Sequence, residues 1–320
     1  MFTTVEKELS LRSSSIGSLV SVGVFDGLHT GHQTLINKLV KQACTQALES
    51  TVITFEQHPS ALLTPTAIVP LISSLEERVR LLKDLSVDKV IVLHFSRELA
   101  AMGAESFILL LKQHLQMKGM ILGWDFALGH AREGSIETLT ALGNKLGFAS
   151  EVVGPVKVNN EIVSSTSIRN ALMEGNISKA NSMLGRPFRI EGIVSNGDER
   201  GRTLGFPTAN LSHSPQQALV PDGVYACEAI IAENTYSATV FVGTRPTFNG
   251  NTRIVEAHIM DFNQNLYNQN IKLDMIERLR DSIQFTDATT LAEQIPKDIE
   301  RTRIILQSRN LNERDRNEHC

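Results

Sequence analysis

The stretch Leu19–Gln46, LVSVGVFDGLHTGHQTLINKLVKQACTQ, decides the fold. Its opening, Leu19–Phe25, is an apolar run interrupted only by Ser21 and Gly23, which reads as a buried strand. From Gly31 to Gln46 the apolar residues recur at helical spacing, with Leu35, Leu39 and Ala43 on one face. Between the two lies GVFDGLHTGH, Gly23–His32, a glycine-rich turn that leaves a strand and opens a helix. The same alternation continues downstream. Thr51–Phe55, Lys89–His94, Met120–Leu122 and Glu151–Val153 read as strands, and Leu75–Leu85 and Glu105–Gln116 as helices. Strand–helix alternation predicts a parallel sheet with helices on both faces. Such sheets take ligands beyond the carboxyl ends of their strands, at a topological switch point.

From about Gly185 the period shortens toward two. Phe188–Ser195, Val224–Ala232, Tyr236–Val242, Ile254–Met260 and Ile271–Leu279 read as strands. They are separated by turn chemistry at Asn196-Gly197-Asp198, Pro221-Asp222-Gly223 and Asn249-Gly250-Asn251. Several short antiparallel strands predict a small barrel. A last helix is expected over Ala288–Leu306, and the polar tail after Ser308 reads as disordered. The expected organisation is an α/β domain at 1–184, a β-barrel domain at 185–310 and a disordered tail at 311–320. The seam falls near Leu184–Pro187.

Composition narrows the function classes. The chain has 31 Lys and Arg against 35 Asp and Glu, a formal charge of −4, which argues against a nucleic-acid binder or a membrane-surface binder. Hydrophobic residues make up 42%, enough for two cores. Cys44, Cys227 and Cys320 are odd in number and far apart, so no disulfide framework or paired metal-ligand spacing is expected. The first residues, MFTTVEKELS, lack the apolar core of a secretory signal. No apolar run approaches the ~18 residues of a membrane span. The expected compartment is the cytoplasm, the expected partners are small molecules, and the expected state is a monomer or weak homo-oligomer.

Three motifs carry chemistry. In Gly23–His32, Gly23, Gly27 and Gly31 permit close backbone approach. The helix N-terminus offers free N–H groups and a positive dipole end, which suit a phosphate. His29 and His32 bracket the turn and can donate to a triphosphate and to the charge of an adenylyl-transfer transition state. The same two histidines could instead be metal ligands, or a structural turn. In the second motif, Ser164-Ser165-Thr166-Ser167-Ile168-Arg169, the hydroxyls stand at a helix start and Arg169 could reach a phosphate bidentately. A plain N-cap at Thr166 or Ser167 is the alternative. In the third, GRTLGFPTANL at Gly201–Leu211, Pro207 fixes the backbone and Gly201 and Gly205 allow unusual dihedrals. Thr208 and Asn210 supply hard oxygens suited to Mg²⁺ held with nucleotide phosphates. A tight turn with Asn210 bonded to its own backbone is the alternative.

GxFDGxHxGH resembles the nucleotidyltransferase signature that holds ATP phosphates, and VSSTSIR resembles its second signature. GFPTAN resembles the riboflavin kinase motif, followed in order by DGVYA at Asp222–Ala226, VGTRPTF at Val242–Phe248, VEAHIMDF at Val255–Phe262, Leu266-Tyr267 and RLRD at Arg278–Asp281. Over roughly residues 15–307 the order is similar to that of the bifunctional bacterial riboflavin kinase/FAD synthetase family.

The resemblance implies a Rossmann-like FMN adenylyltransferase domain and a riboflavin kinase barrel. ATP phosphorylates riboflavin to FMN, and a second ATP adenylates FMN to FAD and pyrophosphate, with Mg²⁺. It implies Glu256 as the base for the ribityl hydroxyl, with its side chain on the same strand face as Ile254 and His258. Thr208 and Asn210 are the implied metal residues, and His29, His32 and Arg169 the implied catalytic residues of adenylyl transfer. ATP and phosphate contacts are implied at Gly23, Phe25, Asp26, Gly31, Ser165, Thr166, Ser167, Gly201, Arg202, Gly205, Phe206 and Pro207. Flavin contacts are implied at Asp125, Phe126 and Arg280.

The sequence departs from the family pattern at Gln57, Ala127, Leu128, Phe241 and Ser282. Those departures leave two alternatives: a monofunctional kinase with a weak or lost adenylyltransferase, and a non-catalytic flavin-binding regulator.

Overall fold

The computed structural model describes residues 4–63, 69–129, 133–196, 205–247, 250–285 and 287–318. The chain divides into two compact units, Met1–Ser165 and Thr166–Cys320.

The first unit runs α1 (Thr4–Ser10), β1 (Ser18–Val22), a 3-10 turn at Asp26–Leu28, α2 (Thr30–Thr45), β2 (Glu49–Phe55), α3 (Pro59–Leu63), α4 (Leu75–Asp84), β3 (Lys89–Leu93), α5 (Arg97–Ala101), α6 (Ala104–Leu115), β4 (Met117–Gly123), α7 (Ile136–Leu146), β5 (Ala149–Val153) and the two-residue strands β6 (Lys157–Val158) and β7 (Glu161–Ile162). Five strands form a parallel sheet in the order β3-β2-β1-β4-β5.

Alternation along each strand splits the apolar residues between two cores. Val20, Val22, Ile53, Ile91, Met120 and Leu122 pack with Phe107, Ile108 and Leu111 of α6 on one face. Leu19, Val52 and Ile121 pack with Leu35, Ile36 and Leu39 of α2 and Leu82 of α4 on the other. The strand order reverses between β1 and β4, so the switch point lies at the carboxyl ends of those two strands.

The first strand is shorter than its sequence suggests. It ends at Val22, because Phe25 takes the left-handed φ of 52° and turns the chain out of the sheet.

The second unit begins within α8 (Ser165–Met173), followed by α9 (Ile177–Leu184), β8 (Phe188–Ser195), β9 (Ala209–His213), β10 (Gly223–Ile231), β11 (Asn234–Thr247), β12 (Gly250–Ile259), β13 (Asn270–Asp281) and α10 (Ala288–Glu318). Its six strands close into an antiparallel barrel ordered β10-β11-β12-β9-β8-β13. Tyr225, Cys227, Ala229, Val240, Ala257, Leu273 and Met275 fill its interior. Val224, Ala226, Leu279 and Phe241 face outward against Ile305 of α10.

Three expectations differ from the structure. β9 falls inside the segment read as a turn, and its five residues complete the barrel. The units meet at Ser165–Thr166, ahead of the expected seam, because α9 packs on the barrel: Asn181 Nδ2 donates to the Met275 carbonyl and Asn181 Oδ1 accepts from Phe188 N, at 2.9 and 2.7 Å. The final helix continues to Glu318 through the segment expected to be a disordered tail. Residues 309–318 hold no Gly or Pro to stop it, and opposite charges recur at helical spacing, as at Arg309/Glu313 and Arg314/Glu318.

Candidate active sites

The turn after β1 lies at the switch point of the first unit. Gly23 N donates to the Ile53 carbonyl at 3.0 Å, a last sheet bond before the chain departs. Phe25 then adopts φ 52° and Gly27 φ 76°. A Cβ at Gly27 would come within 2.8 Å of Ile72 Cγ2, so only glycine fits there. Asp26 is buried, and its carboxylate accepts from Ile72 N at 3.0 Å and Ser73 N at 3.1 Å. The Ser73 hydroxyl in turn accepts from Gly27 N at 2.9 Å. Asp26 thus anchors the turn to the segment leading into α4. Its carbonyl accepts from the Ser165 hydroxyl at 3.0 Å, which ties the start of the second motif to the first.

His29 caps α2, its Nδ1 accepting from His32 N at 3.3 Å. That bond leaves the proton of a neutral His29 ring on Nε2. The two imidazoles stack with centroids 3.6 Å apart, and Phe25 packs edge-on to His32 at 5.2 Å. Gly31 leaves room for this stack: a Cβ there would lie 3.2 Å from His29 Cε1. His32 Nδ1 is buried with no hydrogen-bond partner among the described residues. Burial first, then His29, then Arg78 hold the His32 pKa well below 6.5, so this ring is neutral at pH 7. His32 is therefore a neutral donor rather than a cation.

Arg78 is the residue that sequence reasoning missed. It is 1% exposed, and its Nη1 donates to the Val24 carbonyl at 2.7 Å, Thr54 Oγ1 at 3.1 Å and the Phe55 carbonyl at 3.2 Å. The signal is in the spacing: Arg78 stands three residues after Leu75, four before Leu82 and seven before Leu85, on the apolar face of α4.

At the carboxyl end of β4, the other side of the switch point, Trp124 and Asp125 are exposed while Phe126 packs against the first core. Leu128 is buried in that core and pairs with Gly134, so this departure from the family pattern is a packing residue. Thr166, Ser167 and Arg169 lie on α8 and group with the second unit.

In the barrel, strand register assembles the second site. Glu256 on β12 lies directly across from Asn210 on β9 and from Phe241 on β11. Ala257 points into the barrel, so Glu256, like His258, faces outward. His258 Nδ1 lies 2.9 Å from the Pro207 carbonyl, and its ring meets Phe206 edge-on at 5.9 Å. Those two contacts pin the GFPTAN segment beside Glu256. Gly205 has φ 84°. Gly201 and Arg202 lie outside the described residues. A cavity of about 530 Å³ adjoins Thr208 and is lined by Pro207, Ala257, Ile259, Leu266 and Tyr267 among others. Its size is that of a small-molecule site.

Phe241 packs into the apolar cluster with Val224, Ala226, Leu279 and Ile305. Asp281, beside the divergent Ser282, pairs with Arg278 at 2.9 Å. Arg280 is clamped by Asp298 of α10, with Nη2 to Oδ2 at 2.8 Å and Nε to Oδ1 at 3.1 Å.

Comparison with known proteins matches these two units. The FAD synthetase family model covers residues 11–167 and the riboflavin kinase family model residues 184–306. The bifunctional riboflavin kinase/FMN adenylyltransferase of Escherichia coli K12 is 35% identical over 88% of this chain and 90% of its own. That of Bacillus subtilis is 33% identical over 90% of this chain and 92% of its own. A crystal structure from Streptococcus pneumoniae, described as a macrolide-efflux protein, superposes with TM-score 0.84 at 33% identity, over 91% of this chain and 95% of that one. Among the described residues no helix of this chain is long and apolar enough to cross a membrane. The chain belongs to the bifunctional riboflavin kinase/FMN adenylyltransferase family.

Proposed function

We infer that the chain phosphorylates riboflavin with ATP to give FMN and adenylates FMN with a second ATP to give FAD and pyrophosphate. The observation that carries this reading is the presence of both motif sets, in order, in a chain aligned nearly end to end with bifunctional relatives.

In the kinase, the ribityl 5′-hydroxyl oxygen attacks the γ-phosphorus of ATP, its proton passes to Glu256, and ADP leaves. The cavity beside Thr208 takes the nucleotide, and Gly205, Phe206 and Pro207 shape its phosphate side, with Gly201 and Arg202 preceding them. The Thr208 hydroxyl and Asn210 amide oxygen are hard donors next to Glu256, a set that fits Mg²⁺ shared with phosphates. Bound there, Mg²⁺ would neutralise charge on the transferring phosphoryl group. Arg280, held by Asp298, borders the flavin.

In the adenylyltransferase, an FMN phosphate oxygen attacks the α-phosphorus of ATP and pyrophosphate leaves. His29 and His32 donate to the phosphates, His32 from a neutral ring, and Gly23, Phe25, Asp26 and Gly31 set the turn that presents them. Ser165, Thr166, Ser167 and Arg169 supply hydroxyls and a cation for phosphate. Asp125 and Phe126, at the carboxyl end of β4, serve the flavin. We assign residues 1–184 to adenylyl transfer, 185–310 to the kinase, and the work to the cytoplasm as a monomer or weak homo-oligomer.

The test is to incubate the purified protein with riboflavin, ATP and Mg²⁺ and separate the flavins. FMN followed by FAD is expected, and feeding FMN directly should yield FAD. Absence of both products would overturn the reading.

A further inference from the structure

Every residue of the nucleotide turn from Val24 to Gly27, apart from Phe25, is bonded to a single short segment, Ile72–Arg78. Ile72 N and Ser73 N donate to the Asp26 carboxylate, and Ser73 Oγ accepts from Gly27 N. Arg78 Nη1 donates to the Val24 carbonyl at 2.7 Å. The same Nη1 reaches Thr54 Oγ1 and the Phe55 carbonyl, so one buried guanidinium closes the carboxyl ends of β1 and β2 together. Its Nε is buried without a partner among the described residues. A side chain kept fully inside with part of its donor capacity unused does not serve stability alone, since an apolar residue would avoid the desolvation cost.

We propose that Arg78 is a positioning residue for adenylyl transfer: it locks the Val24 peptide that sets Phe25 in its left-handed turn, and it places a fixed positive charge beneath the paired histidines. The inference rests on the adenylyltransferase reading above. Phe25 is the edge-on neighbour of His32, so the Val24 carbonyl determines where that imidazole stands. The groups acting on the charge of His32 are His29 on its own turn and Arg78 on α4, while Asp26 and Glu76 act on Arg78. Arg78 therefore opposes protonation of His32 and keeps it a neutral donor.

Two variants separate the two roles. Arg78→Lys keeps the charge and loses the forked geometry, and Arg78→Met loses both. FAD formation from FMN and ATP is expected to fall about ten- to a hundredfold in Arg78→Lys, with the acid limb of its pH profile unmoved. In Arg78→Met it should fall further, with the acid limb displaced to higher pH because His32 protonates more easily. Riboflavin phosphorylation by the same preparations should hold, since its residues lie in the other unit.

Wild-type FAD synthesis rates in both variants, or equal losses with identical acid limbs, would overturn the proposal. An NMR titration of the wild-type protein tests it without a variant: His32 should stay neutral well below pH 6.5, and protonation near pH 6.5 would overturn it. If the wild-type protein itself formed no FAD, the adenylyltransferase reading would fail instead. Wild-type FAD synthesis with indifferent variants would fail this inference alone.

Discussion

The two sites are held in opposite ways. The turn after β1 is a buried, interlocked structure, in which Asp26, Gly27 and Arg78 bond to neighbours far along the chain while His29 and His32 stack on each other. The proposed kinase site instead lies on the outer face of a barrel, where Glu256, Asn210 and Phe241 meet because three strands are in register. Preorganisation in the first case comes from desolvated hydrogen bonds, and in the second from the period of two that sends alternate side chains outward. The first site should be sensitive to changes in its supports, and the second mainly to changes in the residues that touch substrate.

The sharpest break in this comparison is Glu256→Gln. FMN formation should fall about 10²–10⁴-fold for want of a base, while FMN-to-FAD conversion is spared. Equal loss of both activities would contradict the two-site reading. His32→Ala should do the reverse, lowering FAD formation about 10²–10³-fold through loss of one donor to developing charge. Normal FAD synthesis by that variant would remove His32 from the mechanism.

Support residues give smaller effects. Asp26→Ala leaves the Ile72 and Ser73 amides buried and unpaired, and should destabilise the first unit by about 3 kcal/mol in urea unfolding. Asp298→Ala removes the carboxylate that clamps Arg280 and should cost the barrel about 2 kcal/mol. The kinase should keep its residual turnover, because Glu256 is placed by other strands.

The smallest effect is one of pH. The folded pKa of His32 lies below its unfolded value, so below pH 6.5 the unfolded chain takes up a proton that the folded state refuses. The first unit should lose stability as pH falls from 6.5 toward that lowered value. Introducing His32→Gln should remove this part of the acid sensitivity in a thermal-melt series.

Much of this was legible in the chain itself. Strand–helix alternation up to Val153 gave the parallel sheet, and the change to period two after Gly185 gave the barrel. His29, His32, Thr208, Asn210 and Glu256 stood out because they sit in compact, ordered motifs. β9 did not, since Ala209–His213 follows Gly201, Gly205 and Pro207 closely and so reads as part of a turn. Arg78 did not either, although it shares the apolar face of α4 with Leu75, Leu82 and Leu85, because its bonds to Val24, Thr54 and Phe55 are made only by folding.

The sequence by itself determined the two architectures and the identity of the chemical groups, because hydrophobic period and local motif are properties of neighbouring residues. Tertiary structure alone decided the rest. His32 is neutral because burial and two distant or stacked groups act on it. Asp26 anchors the turn because Ile72 and Ser73 come to meet it. Arg280 is taken by Asp298 because α10 packs against β13. Each of these depends on residues brought together only by folding, where low dielectric makes a single charge or unmade hydrogen bond decisive.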